Sequence, residues 1–169
     1  AAGRIPALGE TYFLIDPLDG TKEFVRGGDD YTVNIGLIAG GRPRIGVVYQ
    51  PAVDKLWAGL VGDGAFVEEN GERRCINCRP LGAKRDAVAS KSHLNQSTVD
   101  YLEQAIGSCD RVSVGSSLKF CVLAEGLADI YPRLSPTSEW DTAAGHAVLL
   151  APGGRVVGLE GGPLQYGNN

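Results

Sequence analysis

Glycine-centred turns divide the first half of the sequence into short strand-like segments, and this pattern constrains the fold more than any other feature. Residues 32–38 and 44–49 are rich in β-branched residues, and Gly40-Gly41 stands between them. Such a pair of segments predicts a β-hairpin, because glycine readily adopts the positive φ angles of tight hairpin turns. The strand-like segments are residues 11–16, 32–38, 44–49, 55–61 and 64–69. Residues 1–80 are therefore predicted to form an antiparallel meander.

In the second half, short apolar segments alternate with segments of helical spacing. The strand-like segments are residues 87–90, 111–114, 128–132 and 155–157. The segments with apolar residues at helical spacing are residues 97–106, 118–126 and 141–150. This alternation predicts an α/β unit over residues 81–169, which packs with the meander into one layered α/β domain.

Charge and hydropathy exclude several classes of ligand and location. The formal net charge of −4 gives no basic surface of the kind that binds nucleic-acid polymers. No apolar run approaches the ~20 residues of a membrane span, and no basic start with an apolar stretch indicates a signal peptide. These observations favour a small-molecule ligand, no membrane span and a cytoplasmic location.

Cys75 and Cys78 form a CxxC pair, which occurs in zinc sites and in redox centres. Neither a second CxxC nor a paired histidine follows it, and the strand–CxxC–helix order of redox folds is missing. Ordinary reduced thiols are the favoured interpretation.

Residues 16–21 carry the strongest chemical signal, Asp-Pro-Leu-Asp-Gly-Thr directly after an apolar segment. Asp16 and Asp19 can point carboxylate oxygens at one cation, and Mg²⁺ prefers such hard oxygen ligands. The Leu18 carbonyl lies between them, and the Thr21 hydroxyl is placed to touch a water near the cation. The alternative is a plain Asx-type turn, since Asp-Pro and Asp-Gly are common turn dipeptides.

Asp141 is a second candidate acid, placed where a helix is predicted to begin and followed by Thr-Ala-Ala-Gly. Asp is also a favoured residue at helix starts for structural reasons alone. A carboxylate at a helix N-terminus remains readily ionised, however, which suits a metal ligand.

Together these motifs resemble the Mg²⁺-dependent inositol monophosphatase superfamily, and within it the 3'(2'),5'-bisphosphate nucleotidase branch. The resemblance runs through the chain in order, as DPLDGTKEF at 16–24, SKSH at 90–93, GSSLKF at 115–120, ADIYPR at 128–133 and WDTAAG at 140–145. It implies a layered αβαβα sandwich. It also implies a homodimer as a possible assembly and hydrolysis of the 3'-phosphate of adenosine 3',5'-bisphosphate to AMP in sulfur assimilation. The alternatives are an inositol or sugar phosphate phosphatase of the same superfamily, and an inactive domain that only binds nucleotide.

The resemblance also implies roles for individual residues. The implied metal ligands, for two or three Mg²⁺ ions that Ca²⁺ or Mn²⁺ can replace in crystals, are Asp16, the Leu18 carbonyl, Asp19 and Asp141. Thr21 and Asp19 are the implied catalytic residues, which orient and deprotonate the attacking water. The implied substrate contacts are Gly20, Thr21, His93, Ser116, Lys119 and Arg133.

In the family, a helical segment with a pair of glutamates precedes the DPLDGT strand, and the sequence shows no counterpart. Glu10 has the wrong spacing to replace them. The sequence is therefore expected to be a partial domain that is a weak or inactive catalyst by itself. Ile35, Leu37, Val47 and Tyr49 are expected to be partly uncovered on one face of the meander.

Overall fold

The computed structural model describes residues 9–83, 85–90, 96–107 and 111–167. Six consecutive strands form one antiparallel sheet in sequence order. They are β1 Thr11–Asp19, β2 Thr32–Ala39, β3 Arg42–Gln50, β4 Lys55–Leu60, β5 Gly64–Glu69 and β6 Glu72–Ile76. The predicted meander is confirmed, and β6 extends it by a strand that the sequence analysis does not predict. A short helix α1, Thr21–Val25, follows β1, and a 3₁₀ turn, Pro51–Val53, joins β3 to β4.

In its described part, the second half contains three helices and a small parallel sheet. The sheet pairs β7 Ala87–Ser90 with β8 Arg111–Val114, and the helices are α2 Gln96–Ile106, α3 Leu118–Ala124 and α4 Glu139–Leu150. Within the described ranges, no helix combines the length and the apolar character needed to cross a bilayer.

The predictions of strands at residues 128–132 and 155–157 are wrong. Residues 128–132 contribute only one bridge, between Ile130 and Ala87, because Pro132 has no N–H to continue a ladder. Residues 155–157 likewise contribute only the bridge between Val157 and Pro163. There the chain turns back at once, and the Gly158 N–H donates to the Gly162 carbonyl over 2.8 Å.

Helix α4 lies on one face of the large sheet, over a row of glycines. Gly36, Gly46 and Gly59 are direct partners in the pairing of β2, β3 and β4. A Cβ atom at Gly36 would lie 2.9 Å from the Ala143 Cβ, and one at Gly59 would lie 2.9 Å from the Val148 Cα. The bare backbone of the three strands therefore lets the helix approach closely, and α4 also contacts β1. This contact brings the N-terminal turn of α4 next to the end of β1.

The main core lies between the large sheet and the helices. It joins residues of the sheet such as Trp57 and Val67 to Val88 of β7, Phe120 of α3 and Val148 of α4. The opposite face of the sheet carries exposed apolar side chains, among them Phe13 and Ile15 of β1. As expected from the sequence, this face is only partly covered: Ile35 is exposed, and Leu37, Val47 and Tyr49 are half-buried.

The described cysteines, Cys75, Cys78 and Cys121, are free thiols. Cys75 is exposed and Cys121 is fully buried. The local structure around the CxxC pair is the edge strand β6 and the loop after it, and no helix follows.

Candidate active site

The first two candidate acids lie on an irregular end of β1. The strand continues to Asp19, although the sequence predicts its end at Asp16. Its register with β2 shifts between these two residues, where Pro17 cannot donate to the ladder. The Leu18 N–H instead donates to the Asp16 Oδ1 over 3.0 Å. The motif thus contains the local hydrogen bond of an Asx turn, and this bond fixes one oxygen of Asp16.

Gly20 turns the chain sharply from β1 into α1. Its φ angle is 88°, and a Cβ atom on it would lie 2.7 Å from the Asp30 carbonyl oxygen. Only glycine fits this position. The turn lets the Thr21 hydroxyl donate to the Leu18 carbonyl over 3.2 Å, so two of the predicted site groups are in direct contact.

Asp141 lies in the first turn of α4, which begins at Glu139, earlier than the sequence predicts. The N-cap is Ser138. Asp141 is the third residue of the helix, position N3, and forms a capping box with Ser138. Its Oδ2 accepts from the Ser138 N–H over 3.1 Å and from the Thr137 hydroxyl over 2.8 Å. One carboxylate oxygen of Asp141 therefore stabilises the helix.

The pKa values of Asp16 and Asp19 are raised, and the charge of Asp141 is one of the causes in both cases. Burial raises the pKa of Asp16, the Leu18 N–H opposes this, and Asp141 raises it further by charge and by direct contact. Burial raises the pKa of Asp19 to about 6; the Lys119 charge opposes this, and the charges of Asp141 and Asp16 add to it. Three acids thus gather where their ionised forms repel one another.

A divalent cation fits this set of oxygens. Among the described residues, no three His, Cys, Asp or Glu side chains are close enough to form a complete metal site by themselves. Mg²⁺, however, commonly takes only one or two carboxylates from a protein and completes its octahedron with waters and substrate phosphate. A cation would also relieve the repulsion that raises the pKa values of Asp16 and Asp19. The three aspartates therefore fit as a partial ligand set.

Basic side chains line the same cavity as Asp19 and Asp141. Lys119 is only 2% exposed, its Nζ donates to the Ser116 carbonyl, and it lies 5.4 Å from the centre of the Tyr131 ring. Burial lowers the pKa of Lys119 to about 8, although the Asp19 charge opposes this. Arg133 donates to the Tyr131 hydroxyl over 3.4 Å and to the Pro136 carbonyl over 3.3 Å.

Two polar atoms of residues that line the cavity lack hydrogen-bond partners among the described residues. The Ser116 Oγ and the Arg133 Nε are buried atoms for which the described part of the chain offers no partner. Ser116 also has a φ of 42°, in the left-handed region that serine seldom adopts. Buried polar atoms without partners are costly, and their presence at a cavity is a reason to expect a ligand.

A cavity of about 240 Å³ collects most of the predicted site residues. It is lined by Asp19, Gly20, Thr21, Ser116, Lys119, Arg133 and Asp141. Asp16 adjoins it through Asp141, and Leu18 through the Thr21 hydroxyl. The predicted residue His93 lies outside the described residues.

The sequence analysis missed several residues of this region. Lys22 and Thr137 line the cavity. Asn34 and Ser117 are not part of its lining but hydrogen-bond to Asp19. Thr137 and its neighbour Ser138 could have been found from the S-x-x-D capping-box spacing. Asn34 could have been found as a polar residue at a position of β2 that the strand alternation directs toward the core.

The chain is similar to a well-defined group of proteins. The model of the inositol monophosphatase family matches residues 7–169. The 3'(2'),5'-bisphosphate nucleotidase CysQ of Escherichia coli K12 is 46% identical over 93% of this chain and 63% of its own length. CysQ of Buchnera aphidicola is 48% identical over 92% of this chain and 58% of its own length. The chain thus spans less than two thirds of these curated relatives.

Solved structures show the same similarity. The crystal structure of CysQ from Bacteroides thetaiotaomicron superposes with a TM-score of 0.85 at 37% identity, over 93% of this chain and 65% of that chain. The inositol monophosphate-bound SaIMPase-II superposes with a TM-score of 0.76 at 27% identity, over 95% of this chain and 64% of that chain.

Proposed function

The chain belongs to the inositol monophosphatase family, and from this premise we propose that the protein is a Mg²⁺-dependent phosphoric monoester hydrolase. Its substrate is adenosine 3',5'-bisphosphate, from which it removes the 3'-phosphate to give AMP. The identity of 46% to CysQ nucleotidases supports this branch of the family. The proposal extends to a role in sulfur metabolism and to a cytoplasmic location.

One observation carries the proposal: a single cavity is lined both by carboxylates and by basic side chains, of which Lys119 is buried. Asp19 and Asp141 can bind a cation, whereas Lys119 and Arg133 can bind an anion. A phosphate ester bound together with a divalent cation satisfies both sets of side chains. It also supplies acceptors for the Arg133 Nε and the Ser116 Oγ, which the described residues leave unpartnered.

The ligands of the cation would be the Asp16, Asp19 and Asp141 carboxylates together with the Leu18 carbonyl. The chemistry supplied by bound Mg²⁺ is a lowered pKa of nearby water and polarisation of the phosphoryl oxygens. The Thr21 Oγ1 donates its proton to Leu18, so its lone pairs are open to accept from the attacking water and orient it. Burial raises the pKa of Asp19 to about 6 without a metal, and a bound cation would lower it, so Asp19 would act as an ionised ligand beside the attacking water.

The positive charges of Lys119 and Arg133 favour a substrate with a second phosphate. The guanidinium of Arg133 offers a planar fork that matches two phosphate oxygens. Lys119 is buried beside it and adds a second positive charge, and the Arg133 charge contributes to the lowered pKa of Lys119. An anion between the two would relieve this repulsion, which favours a bisphosphate over a monophosphate.

A second candidate function is hydrolysis of inositol monophosphates. The observation in its favour is the similarity to SaIMPase-II, which is solved with inositol monophosphate bound. The identity of 27% to that protein is lower than the 46% to CysQ of E. coli, so the nucleotidase is the preferred proposal.

The test is phosphate release from three substrates with Mg²⁺ and after chelation by EDTA: adenosine 3',5'-bisphosphate, inositol 1-phosphate and fructose 1,6-bisphosphate. We expect the nucleotide to have the highest kcat/KM, and we expect EDTA and Asp19→Asn to abolish the activity. The control is Asp63→Asn, which removes an exposed carboxylate away from the cavity. A preference for inositol 1-phosphate would favour the second candidate, and activity that survives EDTA would contradict the metal requirement.

A further inference from the structure

A chain of buried hydrogen bonds ends on Asp19. The Thr32 and Ser117 hydroxyls are 2.9 Å apart, and the Ser117 hydroxyl donates to the Asn34 Oδ1 over 2.7 Å. The Asn34 Nδ2 then donates to the Asp19 Oδ2 over 3.4 Å. Thr32 and Asn34 are 0% exposed and Ser117 is 1% exposed, so water does not compete for the hydrogen bonds among these three residues. We call Thr32, Ser117 and Asn34 the buried relay.

Donor chemistry sets the direction of the buried relay. An ionised carboxylate only accepts hydrogen bonds, so Asn34 must turn its NH₂ toward Asp19 and its Oδ1 toward Ser117. The Ser117 hydroxyl has one proton, which goes to Asn34, so its oxygen accepts from Thr32. Every donor thus points toward Asp19, and the Ser117 backbone N–H also hydrogen-bonds this carboxylate.

The buried relay joins β1, β2 and the start of α3. Asp19 is on β1, Thr32 and Asn34 are on β2, and Ser117 is the N-cap of α3. Ser117 directly follows Ser116, so the bonds that hold Asp19 also hold the loop that carries the unpartnered Ser116 Oγ. These bonds link elements that are more than 80 residues apart in sequence.

Fold stability alone does not require such a group of side chains. Burial of polar groups is costly unless each is paired, and apolar side chains of the same shape can be equally stable when all partners are replaced together. What apolar side chains cannot do is fix the orientation of a carboxylate. Partners of this kind, one step behind the ligands, orient metal-binding side chains in proteins generally.

We propose that Asn34 is a positioning residue, which holds the Asp19 carboxylate in the orientation that a divalent cation requires. This rests on the proposed function, because it takes Asp19 as a metal ligand. Ser117 and Thr32 serve the same end by fixing the Asn34 amide, since an amide without the Ser117 contact is free to rotate and present its oxygen to Asp19.

The test compares Asn34→Leu with the triple variant Thr32→Val/Asn34→Leu/Ser117→Ala, which replaces the buried relay by apolar groups of similar shape. Mn²⁺ affinity is measured by electron paramagnetic resonance of the free ion, and the free energy of unfolding by chemical denaturation. In Asn34→Leu we expect both to fall, with Mn²⁺ affinity reduced about 10- to 100-fold. In the triple variant we expect stability to recover in part, because only Asp19 is left without its Asn34 partner, while Mn²⁺ affinity stays low.

Recovery of both quantities in the triple variant would mean that Asn34 acts only on the fold, and the proposal would be wrong. Unchanged Mn²⁺ affinity in Asn34→Leu would overturn it as well. Thr98→Val is the matched control, because it makes the same substitution at a buried threonine of α2 that does not line the cavity, and it is expected to keep the affinity. If the triple variant does not fold, Ser117→Ala replaces it, with reduced Mn²⁺ affinity expected and unchanged affinity contradicting the proposal.

Failure of the proposed function would be seen separately, as a wild-type protein that binds no Mn²⁺. In that case the positioning role of Asn34 is tested without a metal, by crystal structures of the wild type and of Asn34→Leu. A rotated or disordered Asp19 carboxylate in the variant supports the positioning role, and an unchanged carboxylate overturns it.

Discussion

A Cβ atom built on Gly46 would lie 2.1 Å from the carbonyl oxygen of Ala144, so the backbones of β3 and α4 are in direct contact there. No side chain larger than hydrogen fits between them. The contact sets the height of α4 above the sheet, and thereby the position of Asp141, three residues before Ala144 in the same helix.

Gly46→Ala is therefore expected to destabilise the protein by about 1–3 kcal/mol or more, because the added methyl group forces the helix away from the sheet. Chemical denaturation measures this cost. Gly162→Ala is the matched control, since a Cβ atom there meets nothing within 4 Å. Equal stability of the two variants would show that α4 moves without cost.

The two oxygens of Asp141 allow its structural role and its proposed metal role to be separated. Ser138→Ala removes the N-cap hydroxyl and is expected to cost about 0.5–2 kcal/mol of stability while Mg²⁺ affinity is kept. Asp141→Asn retains an oxygen that can accept from the Ser138 N–H, so stability changes little, but a ligand charge is lost and Mg²⁺ affinity falls. Calorimetric titration and thermal unfolding of both variants check this. A parallel loss of both properties in either variant would contradict it.

Arg133→Ala is expected to raise KM for adenosine 3',5'-bisphosphate more than KM for a monophosphate. The loss of a charge-assisted contact with the second phosphate corresponds to roughly 1.5–3 kcal/mol. Steady-state kinetics on the two substrates measure the difference, and Arg44→Ala, at an exposed arginine of β3, is the control. An equal effect on both substrates would remove Arg133 from the second-phosphate contact.

His146 contributes stability that is lost in mild acid. Burial lowers the pKa of His146 to about 4, from an ordinary value of 6.5, and its Nδ1 lies 2.9 Å from the Tyr166 hydroxyl. Between these values this histidine binds a proton in the unfolded chain but not in the folded chain, so its contribution to the free energy of unfolding decreases as pH falls from 6.5 to 4. The shift corresponds to about 3 kcal/mol.

The measurement is the free energy of unfolding against pH for the wild type and for His146→Gln. Glutamine has no charge to gain, so the difference between the two proteins isolates the histidine. We expect wild type to lose stability relative to the variant across this window. Parallel pH profiles would show that His146 is protonated equally in the folded and unfolded chains.

The sequence by itself determined most of the local structure and the acids of the candidate site. The strand alternation and glycine turns of the first half predicted β2 to β5 in their observed order, because hairpin geometry depends on adjacent residues. The motifs at residues 16–21 and 140–145 named the acids, because a metal site needs particular side chains at particular spacing. Local signals were wrong at residues 128–132, where Pro132 ends the pairing with β7 after one bridge, and at residues 155–157, where the chain turns back after one bridge.

Only the tertiary structure decided which of these residues meet and which are buried. Periodicity shows that Gly36, Gly46 and Gly59 share a face, but not that α4 lies on that face and carries Asp141 into contact with Asp16. Composition likewise does not distinguish a buried Lys119 from the solvated lysines that are the norm. The physical reason is that contact and burial depend on chain segments far apart in sequence, and the packing of α4 across the sheet brings them together.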